Sequence, residues 1–322
     1  SDWSSDVCSS DLYNFKRKGM KMKKILTLLS VLLLLCGCSV KKESVEEETI
    51  DVSSLTIVTP KGAPVLAFYN QIENENYTRV TADAIAALWT GSESPDVIVV
   101  DLTSGIKAIQ NGAGYKLAAI ITFGNFYLAS TGNDEDEKMD TDDKIVLFGN
   151  ENMLPNKVWH YLYGADYDDC LFYEADAQMA AAALASGNYS DGTAVDYVFL
   201  AQPALFAALK KNEKAEIYAD IQEEYRNKSG MDMIQAAVFI KNSVSELTGN
   251  AFLQELSAAI EAGISDPSLV AEGLSVYTDD EATAQYGFNP SVVVSVFQQT
   301  GVSGRNAMGL GYAKAIDIKD DI

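Results

Sequence analysis

The sequence predicts an α/β protein of two lobes, each a helix-flanked β-sheet, and three observations carry that prediction. From Leu55 onward, short apolar β-rich runs alternate with helix-length stretches, which is how a helix-covered sheet is written in a chain. The alternation breaks at the acidic stretch Asn133 to Asp143 and then restarts. A last apolar run, Ile234 to Ile240, follows the second series, and beyond it the pattern is mostly helical. Two βα series and one late return strand make two sheets with two crossings between them.

Taken in order, Leu55 to Val58 reads as a buried strand, and Thr59-Pro60-Lys61-Gly62-Ala63-Pro64 as a turn into a helix running to about Glu75. Tyr77 to Thr81 is a second strand, followed by a helix over Asp83 to Trp89. Asp96 to Val100 is a third strand, and Asp101 to Gly105 opens a helix ending near Asn111-Gly112. Leu117 to Thr122 is a fourth, with Phe126 to Ser130 extended after it. The second series has strands at Lys144 to Phe148, Cys170 to Tyr173 and Val195 to Leu200. Its helices span Pro155 to Leu162, with proline in the first turn, then Asp176 to Ala185, closed by Gly187, and a third opening at Gln202-Pro203. The crossings are expected near 130–144 and 231–238. That assigns 54–132 and 238–322 to lobe I and 133–237 to lobe II.

The N-terminal region reads as export machinery. Asp2 to Leu12 matches a translated sequencing adapter, so residues 1–19 are set aside. Residues 20–37 read as a signal peptide: a start at Met20 or Met22, lysines, an apolar run from Ile25 to Leu35, then Cys36-Gly37-Cys38. Roughly a dozen apolar residues are too few to cross about 30 Å of hydrocarbon. Leu35-Cys36-Gly37-Cys38 resembles the lipobox of bacterial lipoproteins, which makes Cys38 the expected lipidation site and the lipid bilayer an expected partner. Residues 38–53 then form a solvated tether. The expected location is the extracytoplasmic face of the cell membrane.

Of the four cysteines, only Cys170 falls in the folded part, so no internal disulfide is available and stability must come from a core. Inside Cys170-Leu171-Phe172-Tyr173 it reads as a buried strand residue. The net charge of −22 argues against nucleic acid, whose phosphates need clustered Lys and Arg.

Chemistry finds little support. The single histidine, His160, sits in a helical stretch, no G-x-S-x-G elbow occurs, and one His with one Cys makes no zinc site. Asn133 to Asp143 lacks the glycine and terminal glutamate of a calcium loop and reads as solvated. Gly301-Val302-Ser303-Gly304 and Gly309-Leu310-Gly311 fit no phosphate-loop spacing. No catalytic residue, metal or cofactor is expected.

Several stretches resemble ABC-transporter substrate-binding proteins of the nitrate, sulfonate, taurine and thiamine-precursor type. They are Thr59 to Pro64, Gly91 with Asp96 to Val99, Gly114 to Ala119 leading into Gly124 to Leu128, Ala183 to Gly187, Val195 to Val198 with Gln202-Pro203, and Gln235 to Val238. The resemblance runs in order from about Leu55 to Val238 and more weakly beyond. It implies a periplasmic-binding-protein-like fold of the second type, with mixed sheets joined by a two-strand hinge that closes on ligand. The family usually has Glu-Pro where this chain has Gln202-Pro203, and the loop Asn188 to Thr193 is enlarged.

Ligands in such sheets lie off the carboxyl ends of strands, against helix N-termini. The candidate ligand-binding residues are therefore Thr59, Lys61, Gly62 and Ala63 at the first helix start, and Thr103 and Ser104 after the third strand. Gly124 and Asn125 stand beside the hinge, Asn150 and Glu151 open the second lobe, Gln202 opens a later helix, and Gln235 lies on the return strand. Each helix-start residue serves equally well as a plain cap, and Trp159 and Phe206 read as core. With Lys61 the only cation near a predicted helix start, a neutral or weakly charged ligand such as a heteroaromatic is expected over an oxyanion.

The resemblance implies a solute receptor that hands a small molecule to a membrane permease. A ligand-sensing lipoprotein without transport, and a pyrimidine-precursor synthase of the same fold, are the alternatives. The chain is expected to be a monomer.

Overall fold

The computed structural model describes residues 50–134 and 138–299. The adapter-like segment, the signal peptide, Cys38 and most of the tether lie outside the described residues, as do the glycine-rich stretches after residue 299.

Ten strands form two five-stranded mixed sheets. The first contains β1 (Ile57–Pro60), β2 (Tyr77–Val80), β3 (Val97–Asp101), β4 (Tyr115–Phe123) and β10 (Ile234–Lys241), in the order β2-β1-β3-β10-β4. The second contains β5 (Phe126–Ser130), β6 (Ile145–Phe148), β7 (Leu171–Glu174), β8 (Tyr197–Ala201) and β9 (Glu216–Asp220), in the order β7-β6-β8-β5-β9. In each, three strands run parallel and a fourth is inserted antiparallel between the third and an edge strand. β10 plays that part in the first sheet and β5 in the second, so each sheet borrows the strand adjoining the other.

Burial follows from this layout. β1 and β8 are buried at every position, as strands covered on both faces must be. Alternate residues then fall into different cores. Ile57, Val97 and Val99 pack in one cluster, while Val58, Ile98 and Val100 pack in another. In lobe II, Leu128, Ile145 and Leu147 face one core, and Ala129, Val146 and Val198 face the other.

Helices fill the layers. In lobe I, α1 (Leu102–Gln110) lies on one face, and α6 (Glu246–Ser265), α7 (Pro267–Leu274), α8 (Asp279–Tyr286) and α9 (Val293–Gln299) stack on the other. Gly105 in α1 is required by contact, since a Cβ there would lie 2.0 Å from the Phe239 ring. In lobe II, α2 (Leu154–Tyr163) and α5 (Ile221–Ser229) cover one face, and α3 (Ala177–Ser186) and α4 (Ala204–Leu209) the other.

Four details differ from the sequence reading. β5 belongs to the second sheet, so the chain crosses at Gly124-Asn125 and not at 130–144. There the Gly124 N–H donates to Met233 O (2.8 Å), tying the two crossings together. The helix expected through Glu75 is a 3-10 segment, Ala63–Gln71, broken at Phe68, and the one over Asp83 to Trp89 shrinks to Ala84–Ala87. Cys170 lies in the turn before β7, buried, its thiol donating to Thr141 O (3.0 Å). The edge pair β9 and α5 gave no apolar run to read, because β9 is mostly exposed.

Among the described residues no helix is long and apolar enough to cross a membrane.

Candidate functional site

A cavity of about 720 Å³ opens at the strand ends of both sheets. Its walls come from the 60–64 turn, the ends of β3 and β10 and the start of α1 in lobe I. Lobe II supplies the 148–155 turn, Phe126 and the Gln202-Pro203 turn. This size suits an organic molecule of several rings or fewer and far exceeds a compact ion.

Of the twelve predicted binding residues, seven line the cavity: Lys61, Gly62, Ala63, Ser104, Asn150, Gln202 and Gln235. The other five do not. Thr59 is fully buried behind the turn, hydrogen-bonded to the Tyr77 hydroxyl at 2.8 Å. Thr103 points to solvent one residue before the wall, and Glu151 is likewise exposed. Gly124 is covered by the Gln222 and Met233 side chains, which a Cβ would meet at 1.7 and 2.4 Å. Asn125 is buried at the crossing, its amide nitrogen donating to Gln202 O (2.9 Å). These last two shape the hinge and do not face the ligand space.

The helix starts that face the cavity already have internal partners. The Lys61 and Gly62 N–H groups donate to Val80 O and Tyr286 O at 2.9 and 2.7 Å. The Asp101 carboxylate caps α1, accepting from Ser104 N at 2.9 Å. Asn150 accepts through its carbonyl from Met153 N and through Oδ1 from Asn152 N, both at 2.9 Å. The Gln202 amide oxygen accepts from Phe206 N at 3.1 Å, closing the first turn of α4. By contrast, the Gln235 Oε1 is buried and has no hydrogen-bond partner among the described residues. An unmet acceptor there costs free energy that a ligand donor would recover.

Aromatic residues missed in the sequence reading supply much of the wall. Trp89 and Phe288 come from lobe I, Phe126 and Phe148 from lobe II. Phe126 and Phe148 meet edge to face, centroids 5.5 Å apart. Nothing local marked Trp89 or Phe288 as cavity residues, since each reaches the site through tertiary packing. Lys107 and Lys157 also line the cavity, so Lys61 is not the only cation there. Lys61 spends its ammonium on Ala284 O at 2.6 Å.

His160 lies outside the cavity lining. Its Nδ1 lies 2.9 Å from Asn156 O and its Nε2 2.7 Å from Asp168. The Asn156 carbonyl, more than Asp168, raises its pKa above the usual imidazole range. Trp159 is buried in the core of lobe II, whereas Phe206, on α4, is buried in the core cluster of lobe I. Among the described residues no cluster of three or more His, Cys, Asp or Glu is placed to hold a metal ion.

Solved structures share this arrangement. An ABC transporter from Parabacteroides distasonis superposes with a TM-score of 0.62 at 22% identity, covering 83% of this chain and 88% of that one. The chain has the fold of ABC-transporter substrate-binding proteins. A ligand-binding component of an ABC-type import system from Staphylococcus aureus, solved with zinc bound, gives 0.53 at 12% identity, covering 81% and 85%. The periplasmic aliphatic sulphonate-binding protein SsuA from Escherichia coli gives 0.52 at 16%, covering 76% and 78%. No family model matches the sequence, and no curated protein matches it. In this substrate-binding fold, the cavity between the sheets occupies the place where strand ends and helix starts of both lobes converge.

Proposed function

We propose that the chain is an extracytoplasmic solute-binding lipoprotein of an ABC importer. It captures a small organic molecule or anion between its lobes and delivers it, unchanged, to a membrane permease. The observation that carries this reading is the cavity of about 720 Å³ whose wall is shared by two sheets, between which the described chain crosses at Gly124-Asn125 and on the approach to β10. Two bodies on a narrow hinge can shut on a ligand. The fold, the lipobox-like Cys36-Gly37-Cys38 and the Gln235 acceptor with no internal partner support it. Neither histidine nor cysteine lines the cavity, which supports binding without turnover.

The test is a thermal-shift screen of small organic acids, sulfonates, heteroaromatics and inorganic anions. Ligand at a hundred times its Kd adds about 2.7 kcal/mol, a rise of about 5 °C or more for a domain of this size. The response should vanish in Phe148→Ala. A screen in which nothing raises the melting temperature goes against the reading. Lipid attachment is checked separately, by incorporation of a labelled fatty acid that Cys38→Ala abolishes.

A further inference from the structure

The cavity is not uniform from floor to mouth. Its floor is apolar and little exposed: Phe126 is 1% exposed, Phe288 4% and Trp89 8%. The backbone N–H groups of Lys61, Gly62, Ser104, Met153 and Phe206, which a helix-start anion site would use, already donate to protein acceptors. One of those acceptors is the Asp101 carboxylate, a fixed negative charge where an acidic head would arrive. An anion buried there would lose its hydration and find these five donors already engaged, which is costly. What the floor does offer is the Gln235 amide oxygen, buried and without a partner among the described residues.

At the mouth the situation reverses. Lys107 near the end of α1 and Lys157 near the start of α2 are exposed, line the cavity from opposite lobes and have no ion-pair partner among the described residues. Asp83 is the one exposed acid on the same wall. Two unpaired cations stand at this entrance in a chain whose net charge is −22.

We infer that the ligand is a ring-bearing organic acid that enters ring first, donates a hydrogen bond from its inner end to Gln235, and leaves its acidic group at the mouth between Lys107 and Lys157. This rests on the solute-binding reading and gives it a substrate class and an orientation. The four rings from both lobes then flank the ligand body, and closure brings the two lysines onto one anion. An acid held by exposed lysines stays hydrated and salt-sensitive.

Calorimetric titration of the intact folded protein with 4-hydroxybenzoate, benzoate and phenol, alongside taurine and methanesulfonate, tests the orientation. 4-Hydroxybenzoate should bind best. Lys107→Gln with Lys157→Gln should weaken both benzoates about tenfold and leave phenol unchanged, and added KCl should do the same. Gln235→Leu should weaken 4-hydroxybenzoate and phenol about tenfold and spare benzoate. Unchanged melting temperatures of the lysine variants show that the fold is intact. If benzoate binding ignores the lysine pair, the inference is overturned. It is also overturned if taurine or methanesulfonate binds while the aromatic acids do not, although solute binding then stands. No binding by any of the five overturns the inference, and only failure of the wider thermal screen removes the solute-binding reading with it.

Discussion

In lobe I the turn that faces the cavity is held by residues more than two hundred positions on, whereas in lobe II the cavity-facing helix starts are held by local caps and by one tie to Asn125 at the crossing. Lys61 reaches Ala284 across 223 residues, and Gly62 N donates to Tyr286 O. Behind the turn, the Arg79 guanidinium lies 5.0, 5.6 and 6.0 Å from the Tyr77, Tyr286 and Tyr277 rings and donates to the Tyr277 hydroxyl at 3.2 Å. In lobe II, Asn150 serves residues two and three positions on, and Gln202 serves Phe206. One wall of the cleft therefore depends on contacts with the C-terminal helices, and the other on local caps and on the Asn125 crossing. Perturbing the C-terminal helices should damage binding through lobe I alone.

The largest expected effect tests whether lobe II stands by itself. Trp159 is fully buried there, in ring contact with Tyr163, Tyr167 and Phe199. Trp159→Ala should cost about 3–5 kcal/mol. Because two crossings join the sheets among the described residues, urea unfolding followed by hydrogen exchange should show lobe II opening first while lobe I amides stay protected. A single concerted loss of protection would break the comparison. Next comes Arg79→Met, which removes the ring contacts and the Tyr277 hydrogen bond for about 1–2 kcal/mol. Hydrogen exchange should quicken over 277–288, with lobe II unaffected. Smaller still is Asp176→Ala, which deletes the cap on Gln178 N and Met179 N at the start of α3. It should cost about 1 kcal/mol, and the change should be confined to lobe II.

The layout of strands was legible because parallel strands buried on both faces leave continuous apolar runs, as at Asp96 to Val100 and Val195 to Leu200. The crossing was misplaced because Phe126 to Ser130 looks like a continuation of β4. Nothing in one sequence tells which sheet an apolar strand joins. β9 escaped notice because an exposed edge strand carries no apolar pattern. At the site, helix-start reasoning found the turns but not the use of their donors. Ser104 and Gly62 were readable as N–H sources, yet Asp101 and Tyr286 O occupy those groups. The aromatic wall was hidden for another reason: Trp89 and Phe288 stand almost two hundred residues apart and become neighbours of one cavity only by folding.

The smallest effect sharpens the lobe comparison through pH. Burial, with Asp134, Asp140 and Asp196 nearby, pushes the Asp143 carboxyl up to about 6, even though Asp140 N–H donates to it at 2.6 Å. The unfolded value is about 3.9, so between pH 4 and 6 the folded state binds more protons and stability rises as pH falls through that window. The raised His160 acts in the same direction: its contribution is full below about pH 6.5 and fades as pH rises through its folded pKa. Both groups belong to lobe II. In lobe I, Asp83 and Glu281 have lowered carboxyls, held by hydrogen bonds from Thr81 and Thr278. Their contribution is present above the unfolded carboxylate range and is lost only as pH falls through their folded values. Lowering pH from 6.5 to 5 should therefore slow hydrogen exchange, corrected for its intrinsic pH dependence, in lobe II and leave lobe I unchanged. Asp143→Asn should reduce that slope, with Asp220, whose carboxyl burial also raises, supplying part of the remainder, and an equal response in both lobes would show that the acidic loop is not its source.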